Sequence, residues 1–319
     1  MPAPREWGFW TVGKLDMLGQ YPSAFTTAAK YKARGVTTYL DLFAGQGDNV
    51  SKETGEKVEN SPEIALAADP PFSHLRFFER DNAESLRQLL DGRFAGRDCG
   101  IVEGDSNKTL GSELNKGDLE RWAPTFAFID PNGPDCWWAT LERLAAFKKG
   151  SKYKTEQWML FSVDMFIRFL RTDGGEVRPV DAERITRMYG SDEWRAIYTA
   201  RRGDELEAPE ARAEYVNLMR WRLEHILGYG WTHSFDIRTH KRSIYSMIFA
   251  TDNPAGNTIM GDIYTRAADR FPEMQREARD RMRGQDALFD HPATGPAYTH
   301  VSPLPPYGSV ERDGPAKSG

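Results

Sequence analysis

Cysteine is almost missing, with 2 in 319 residues. That excludes a disulfide scaffold. It also excludes a cysteine-built zinc or iron–sulfur centre held by this chain alone. Long apolar runs are missing too: no segment approaches the roughly 18–20 apolar residues of a membrane-spanning helix. The most apolar stretch, 158–170, is interrupted by Asp164 and Arg168. The first ten residues carry Arg5 and Glu6 and no apolar signal core, so a cytoplasmic protein with no membrane partner is expected. Positive charge is not in excess: 42 Lys+Arg face 47 Asp+Glu, a net charge of -5. A generally basic nucleic-acid coat is thereby excluded, and a polyanionic partner would need a local basic patch. The six His show no metal-ligand spacing, so no metal site is expected.

What is present alternates. Residues 23–34 read as a helix. Residues 37–43 are β-branched and aromatic and stop at Gly45, which predicts the first strand. A polar excursion, 48–60, precedes a short helix over 62–68, with Ser61 as its N-cap and Pro62 at its first position. Strands are predicted at 75–79, 100–103, 125–130 and 157–162, and helices at 81–91 and 137–149. The fourth strand is continuously apolar, as expected of a strand buried on both faces of a parallel sheet. The stretch 170–228 turns Arg-rich and helical, with its clearest helix over 208–227. Strands at 231–237 and 243–251 are separated by too few residues for a crossover helix, so they should form an antiparallel hairpin. A helix over about 257–283 should break near Pro272, and the Pro-, Gly- and Ser-rich stretch from 285 onward reads as a flexible tail. The pattern predicts an α/β, doubly wound sheet over 1–284, with an antiparallel C-terminal edge hairpin and a helical insertion at about 170–228.

The chemistry concentrates at the strand ends. Asp41-Leu42-Phe43-Ala44-Gly45-Gln46-Gly47 ends the first strand, and two glycines two apart let the backbone turn tightly and approach a ligand. An ordinary strand-to-loop turn would look the same. The next three strands end in Glu79, in Gly104-Asp105-Ser106-Asn107 and in Asp130-Pro131-Asn132-Gly133, so an acid stands at or near four successive carboxyl ends. Glu79 suits the two hydroxyls of a ribose. Position 50 is Val rather than the third glycine of a dinucleotide fingerprint, which argues against NAD and for a nucleoside ligand without a pyrophosphate. S-adenosylmethionine fits, with the glycines near its methionine portion, Glu79 on the ribose and Asp105 near the adenine amino group. The candidate cofactor-binding residues are Asp41, Phe43, Gly45, Gly47, Glu79, Asp105 and Ser106.

These positions resemble the class I methyltransferases. More specifically, the chain is similar to the three-Cys-motif partner (TcmP) proteins. The likeness rests on Trp10, Lys14-Leu15, the 39–47 segment, Ser61-Pro62, Phe78-Glu79, the 104–107 segment and the 128–133 segment, with a weaker echo over 243–250. The resemblance implies a Rossmann-like methyltransferase fold. It also implies a separate, three-cysteine, radical-SAM-like partner protein, which would suit the cysteine poverty of this chain. Asp130-Pro131-Asn132-Gly133 stands where amino-methyltransferases carry Asp/Asn-Pro-Pro-Tyr/Phe. In that motif the carboxylate and a backbone carbonyl accept hydrogen bonds from the target amino group, while the aromatic stacks on a flipped base. Asp130 and Pro131 are thus the candidate catalytic residues. Asn132 and Gly133 replace the second Pro and the aromatic.

The implied acceptor is an amino group of a nucleic-acid base or nucleotide. Asn132, Trp137, Arg238 and Lys241 are its candidate contacts, although Trp137 and Trp138 read first as packing residues of the following helix. Asp41–Gly45 also resembles the opening motif of cytosine-5 methyltransferases. However, Cys136 follows Asp135 instead of a Pro, and it is expected to be a partly buried thiol. Lys148, Lys149, Lys152 and Lys154, the 238–242 link, and Arg201, Arg202, Arg220 and Arg222 would form a phosphate-binding surface if they converged. Matched by nearby acids, they read otherwise as solvated charge. A non-catalytic binding partner of the three-cysteine protein is the second expectation.

Overall fold

The apolar runs pair into one sheet whose two faces carry separate cores. The computed structural model describes residues 5–7, 9–30, 34–46, 49–51, 55, 57–91, 96–170, 176–238, 243–282 and 297–313. In chain order the elements begin with β1 (Arg5–Trp7), α1 (Phe9–Lys30), β2 (Thr38–Asp41), β3 (Asn49–Ser51) and α2 (Ser61–Leu66). Next come β4 (His74–Glu79), α3 (Ala83–Asp91), β5 (Cys99–Glu103), α4 (Ser106–Leu114), β6 (Thr125–Ile129), α5 (Trp138–Phe147) and β7 (Glu156–Phe161). The helical stretch holds α6 (Val163–Ile167), α7 (Pro179–Tyr189), α8 (Trp194–Arg202) and α9 (Ala208–His225). The chain closes with β8 (Trp231–Arg238), β9 (Ser243–Thr251), α10 (Pro254–Met282) and α11 (Val310–Asp313).

The main sheet runs β5-β4-β2-β6-β7-β9-β8. The first five of these strands are parallel, whereas β9 is antiparallel to both β7 and β8. This is the doubly wound, Rossmann-like sheet with an antiparallel edge hairpin that the sequence pattern predicts. Alternation sorts the side chains of each strand. Tyr39, Phe77, Phe126, Phe128 and Trp158 point to the face covered by α1, α2, α3 and α10. Leu40, Phe78, Ala127, Ile129 and Met159 point to the face covered by α4, α5 and the inserted helices. Burial on both faces is why β6 reads as an unbroken apolar run. No helix among the described residues is long and apolar enough to cross a membrane.

Several boundaries differ from the expected ones. Helix α1 starts at Phe9, fourteen residues before the expected start at Ser23. Its internal Pro22 hides the continuity, and Tyr21 and Phe25 carry it across by packing on β6, β7 and β9. The cap of α2 is Asn60, not Ser61: the Asn60 side chain accepts from Glu63 N–H while the Glu63 carboxylate accepts from Asn60 N–H. Helix α4, which the pattern does not predict, is capped by Asp105. Helix α10 runs through Pro272 without the expected break, held by the burial of Ala267, Ala268 and Phe271 against its neighbours.

Residues 297–313, inside the expected flexible tail, are fastened to the domain. Leu304 N–H donates to Asn217 Oδ1 at 2.8 Å, and Arg312 grips the Glu214 carboxylate with two 2.6 Å contacts.

Candidate active site

Strand β2 has β4 on one side and β6 on the other, so the chain winds away from it in opposite directions. The carboxyl ends of the strands at such a switch point are left uncovered, and this is where ligands of open α/β sheets bind. A cavity of about 520 Å³ lies here. Its wall brings together Phe43, Gly45, Glu79, Asp105, Ser106, Asp130, Pro131, Asn132 and Trp137, most of the residues singled out in the sequence. Gly47 and Lys241 lie outside the described residues.

Gly45 turns the chain off β2 with φ +74°, a conformation open to glycine without strain. Its N–H donates to Glu79 Oε2 at 2.9 Å, while Glu79 Oε1 accepts from the N–H groups of Asp81 and Asn82 at 2.8 and 2.9 Å. One carboxylate therefore sets the shape of two loops, and Oε2, with a single donor, keeps a lone pair for a further one. Asp105 Oδ1 caps α4 through Asn107 N–H at 3.0 Å, and Asp105 as a whole stands in the cavity wall. Asn107, absent from the sequence candidates, joins the β5 and β6 loops. Its amide donates to Asp135 O at 2.8 Å, and its oxygen accepts from Trp137 N–H at 2.9 Å and the Thr140 hydroxyl at 2.8 Å.

Asp41 is not in the wall. It is fully buried behind the first loop, where it accepts from Phe43 N–H at 3.2 Å and from the hydroxyls of Tyr39 and Ser61. Burial pushes its carboxyl up to about 7, against the pull of those hydrogen bonds. Its contact with a ligand is therefore indirect, through the loop it braces. The expected contact from Arg238 is corrected as well: this exposed side chain pairs with Asp236 at 3.0 Å and does not line the cavity.

Two features of the Asp130 end of the cavity went unforeseen. The Lys14 ammonium, on α1, makes a short ion pair with Asp130 Oδ2, and both side chains are largely buried. Helix α7 brings Arg184 and Arg187, one turn apart, over the mouth of the cavity. Arg184 pairs with Asp135 at 2.9 Å, and Arg187 lies 5.0 Å from the centre of the Trp137 ring. Trp137 is thus half-buried in the wall with a cation over its ring, whereas Trp138 is buried in the core. Cys136 is buried, and burial raises its thiol far above the usual range, which removes it as a nucleophile.

Among the described residues the basic clusters do not converge on this cavity. Lys148, Lys152 and Lys154 lie at the amino ends of the strands, away from this cavity, and Lys154 is tied to Asp252. Arg222 pairs with Glu193, and Arg220 is bound to Thr232. Among the described residues, the cations that line the cavity are Lys14, Arg80, Arg184 and Arg187. Only Lys14 carried a sequence signal, as part of the family resemblance.

No protein family model matches the chain, and no curated protein does. Among solved structures, a conserved hypothetical protein of Streptococcus pyogenes is 17% identical, covers 40% of this chain and 68% of its own, and has a TM-score of 0.28. The methyltransferase domain of bacterial CtHen1 is 13% identical, with 72% and 96% covered and a TM-score of 0.36. TYW2 of M. jannaschii, solved in complex with AdoMet, is 10% identical, with 72% and 75% covered and a TM-score of 0.31. None of these likenesses is close enough to carry an activity, a substrate or a cofactor over to this chain.

Proposed function

We propose that the chain is an S-adenosylmethionine-dependent methyltransferase acting on an amino group of a nucleic-acid base or nucleotide. The observation that carries the reading is the convergence of Gly45, Glu79, Asp105 and Asp130 on one cavity at the switch point. The donor set suits this cofactor, which combines two cationic centres, a ribose diol and an adenine amino group. Of the five carboxylates in the wall, Glu79, Asp105 and Asp130 stand at the strand ends and offer acceptors and negative charge for such a ligand. Glu79 would accept from the ribose hydroxyls, Asp105 and Ser106 would meet the adenine, and the turn at Gly45 would admit the methionine portion. When bound, the cofactor supplies an electrophilic methyl group.

Attack on that methyl by a neutral amine needs closeness and in-line alignment more than a strong base. Asp130 and the carbonyl of Pro131 would accept hydrogen bonds from the acceptor amino group and aim its lone pair. The acceptor has to share Asp130 with Lys14, whose ammonium is ion-paired with that carboxylate. Arg184 and Arg187 would offer positive charge to a phosphate-bearing acceptor. The deciding experiment is calorimetric titration with S-adenosylhomocysteine, followed by transfer of labelled methyl to DNA, RNA and nucleotides. No binding, together with an unaltered titration for Glu79→Ala, ends this reading.

A second reading is a non-catalytic partner of a three-cysteine, radical-SAM-like protein. It is favoured by the coverage of Trp137 by Arg187 and by the Asn132-Gly133 departure. Cofactor binding without methyl transfer to any of these acceptors, together with co-purification of the cysteine-bearing protein, would support it.

A further inference from the structure

A second cavity, of about 620 Å³, opens at the opposite end of the sheet, where β6 and β7 begin, and it shares no wall residue with the first. That volume is in the usual range for small-molecule sites. One side is apolar and aromatic, built by Tyr21 and Phe25 of α1, Ile259 of α10 and the half-exposed Trp122. The other side is basic, with Lys148, Lys152 and Arg34.

Lys148 is the decisive residue. It follows α5 directly, is only 5% exposed, and among the described residues its ammonium has no hydrogen-bond or ion-pair partner. Two carboxylates attract it through space, Glu156 in the same wall and Asp252, but each has closer partners. Glu156 accepts from the Tyr21 hydroxyl and, at 2.8 Å, from the Thr251 hydroxyl. Asp252 accepts from Lys154 N–H at 3.0 Å and pairs with Lys154 Nζ at 3.2 Å. Burial lowers the pKa of this ammonium, against the pull of Glu156 and Asp252. The cavity therefore holds a cation without a direct hydrogen-bond or ion-pair contact among the described residues, beside an aromatic wall.

We propose that this cavity is a binding site for a small aromatic carboxylate, with the carboxylate on Lys148 and the ring among Phe25, Ile259 and Trp122. Lys152 and Arg34 add positive charge to the same wall. The site is independent of the methyltransferase reading, because its residues are separate from those of the first cavity.

The test is calorimetric titration of the full chain with indole-3-acetate and benzoate, against indole-3-acetamide, benzamide and sodium phosphate. The carboxylates are expected to bind at least tenfold more tightly than the matched amides and than phosphate. Lys148→Met should reduce them to the amide level, and Lys148→Arg should stay within a few-fold of the native chain. Ser151→Trp, in the cavity wall on a partly exposed bend, should weaken every ring-bearing ligand. It also carries the test if Lys148→Met fails to fold by circular dichroism. The proposal is overturned if none of the carboxylates binds, if amides or phosphate match them, or if Lys148→Met or Ser151→Trp binds as the native chain does.

Discussion

The most informative single substitution is Asp41→Asn, because it separates the buried charge of this carboxyl from its hydrogen bonds. Asp41 is fully buried, and its pKa rises from 3.8 to about 7, with burial as the leading cause. A carboxyl raised in the folded state is neutral there while its unfolded counterpart ionises. Its contribution to stability is therefore complete below the unfolded value and is lost as pH climbs through about 7. Three pKa units correspond to about 4 kcal/mol, of which about 3 kcal/mol falls between about pH 5 and pH 8. The amide oxygen can still accept from Phe43 N–H, and the hydroxyls of Tyr39 and Ser61 can turn to accept from the amide nitrogen.

The expected outcome is that Asp41→Asn gains about 3 kcal/mol on the native chain between those two pH values. Urea unfolding followed by far-UV circular dichroism at both pH values measures it. Glu156, raised to about 7 by burial, gives the same kind of slope in both proteins and cancels. Asp98, Asp118 and Asp192 are lowered by nearby Arg and other donors, so their losses fall in the acid range outside this window. Parallel pH profiles for the two proteins would refute the reasoning.

Three further outcomes are expected. Glu79→Gln should weaken S-adenosylhomocysteine binding by about tenfold or more, since an ionised acceptor is worth about 1.5–3 kcal/mol, and calorimetry reads this directly. Lys14→Met should destabilise the chain by about 1–3 kcal/mol by stranding the Asp130 carboxylate. Asp130→Asn in the same chain should recover most of that loss, and a double-mutant cycle in urea gives the coupling. Gly190→Ala should be among the most damaging small changes, at about 2–4 kcal/mol. Its Cβ would lie 2.4 Å from the Trp138 ring at a backbone φ of +68°, and thermal unfolding would show the loss.

The strand ends were legible because both their causes are local. An apolar run of β length followed by an acid and a turn residue announces itself, and Glu79, Asp105 and Asp130 meet in one cavity for that reason. The N-terminal half of α1 was not legible. Pro22 interrupts its pattern, and only the packing of Tyr21 and Phe25 against the sheet shows the helix to be continuous. Asp41 had the right residue type and position for a ligand contact, yet burial, which no short stretch of sequence displays, turned it into a brace.

The sequence by itself determined the period of the elements, the identity of the strand-end acids and the exclusion of a disulfide scaffold or cysteine-built metal centre, all of which are local or compositional properties. Only the tertiary structure decided which distant charges meet. Lys14 reaches Asp130 across more than one hundred residues, Arg187 covers Trp137, and Lys148 is left facing a cavity whose neighbouring acids are already engaged. Electrostatic pairing depends on distance in space, and chain crossovers set that distance independently of separation along the sequence.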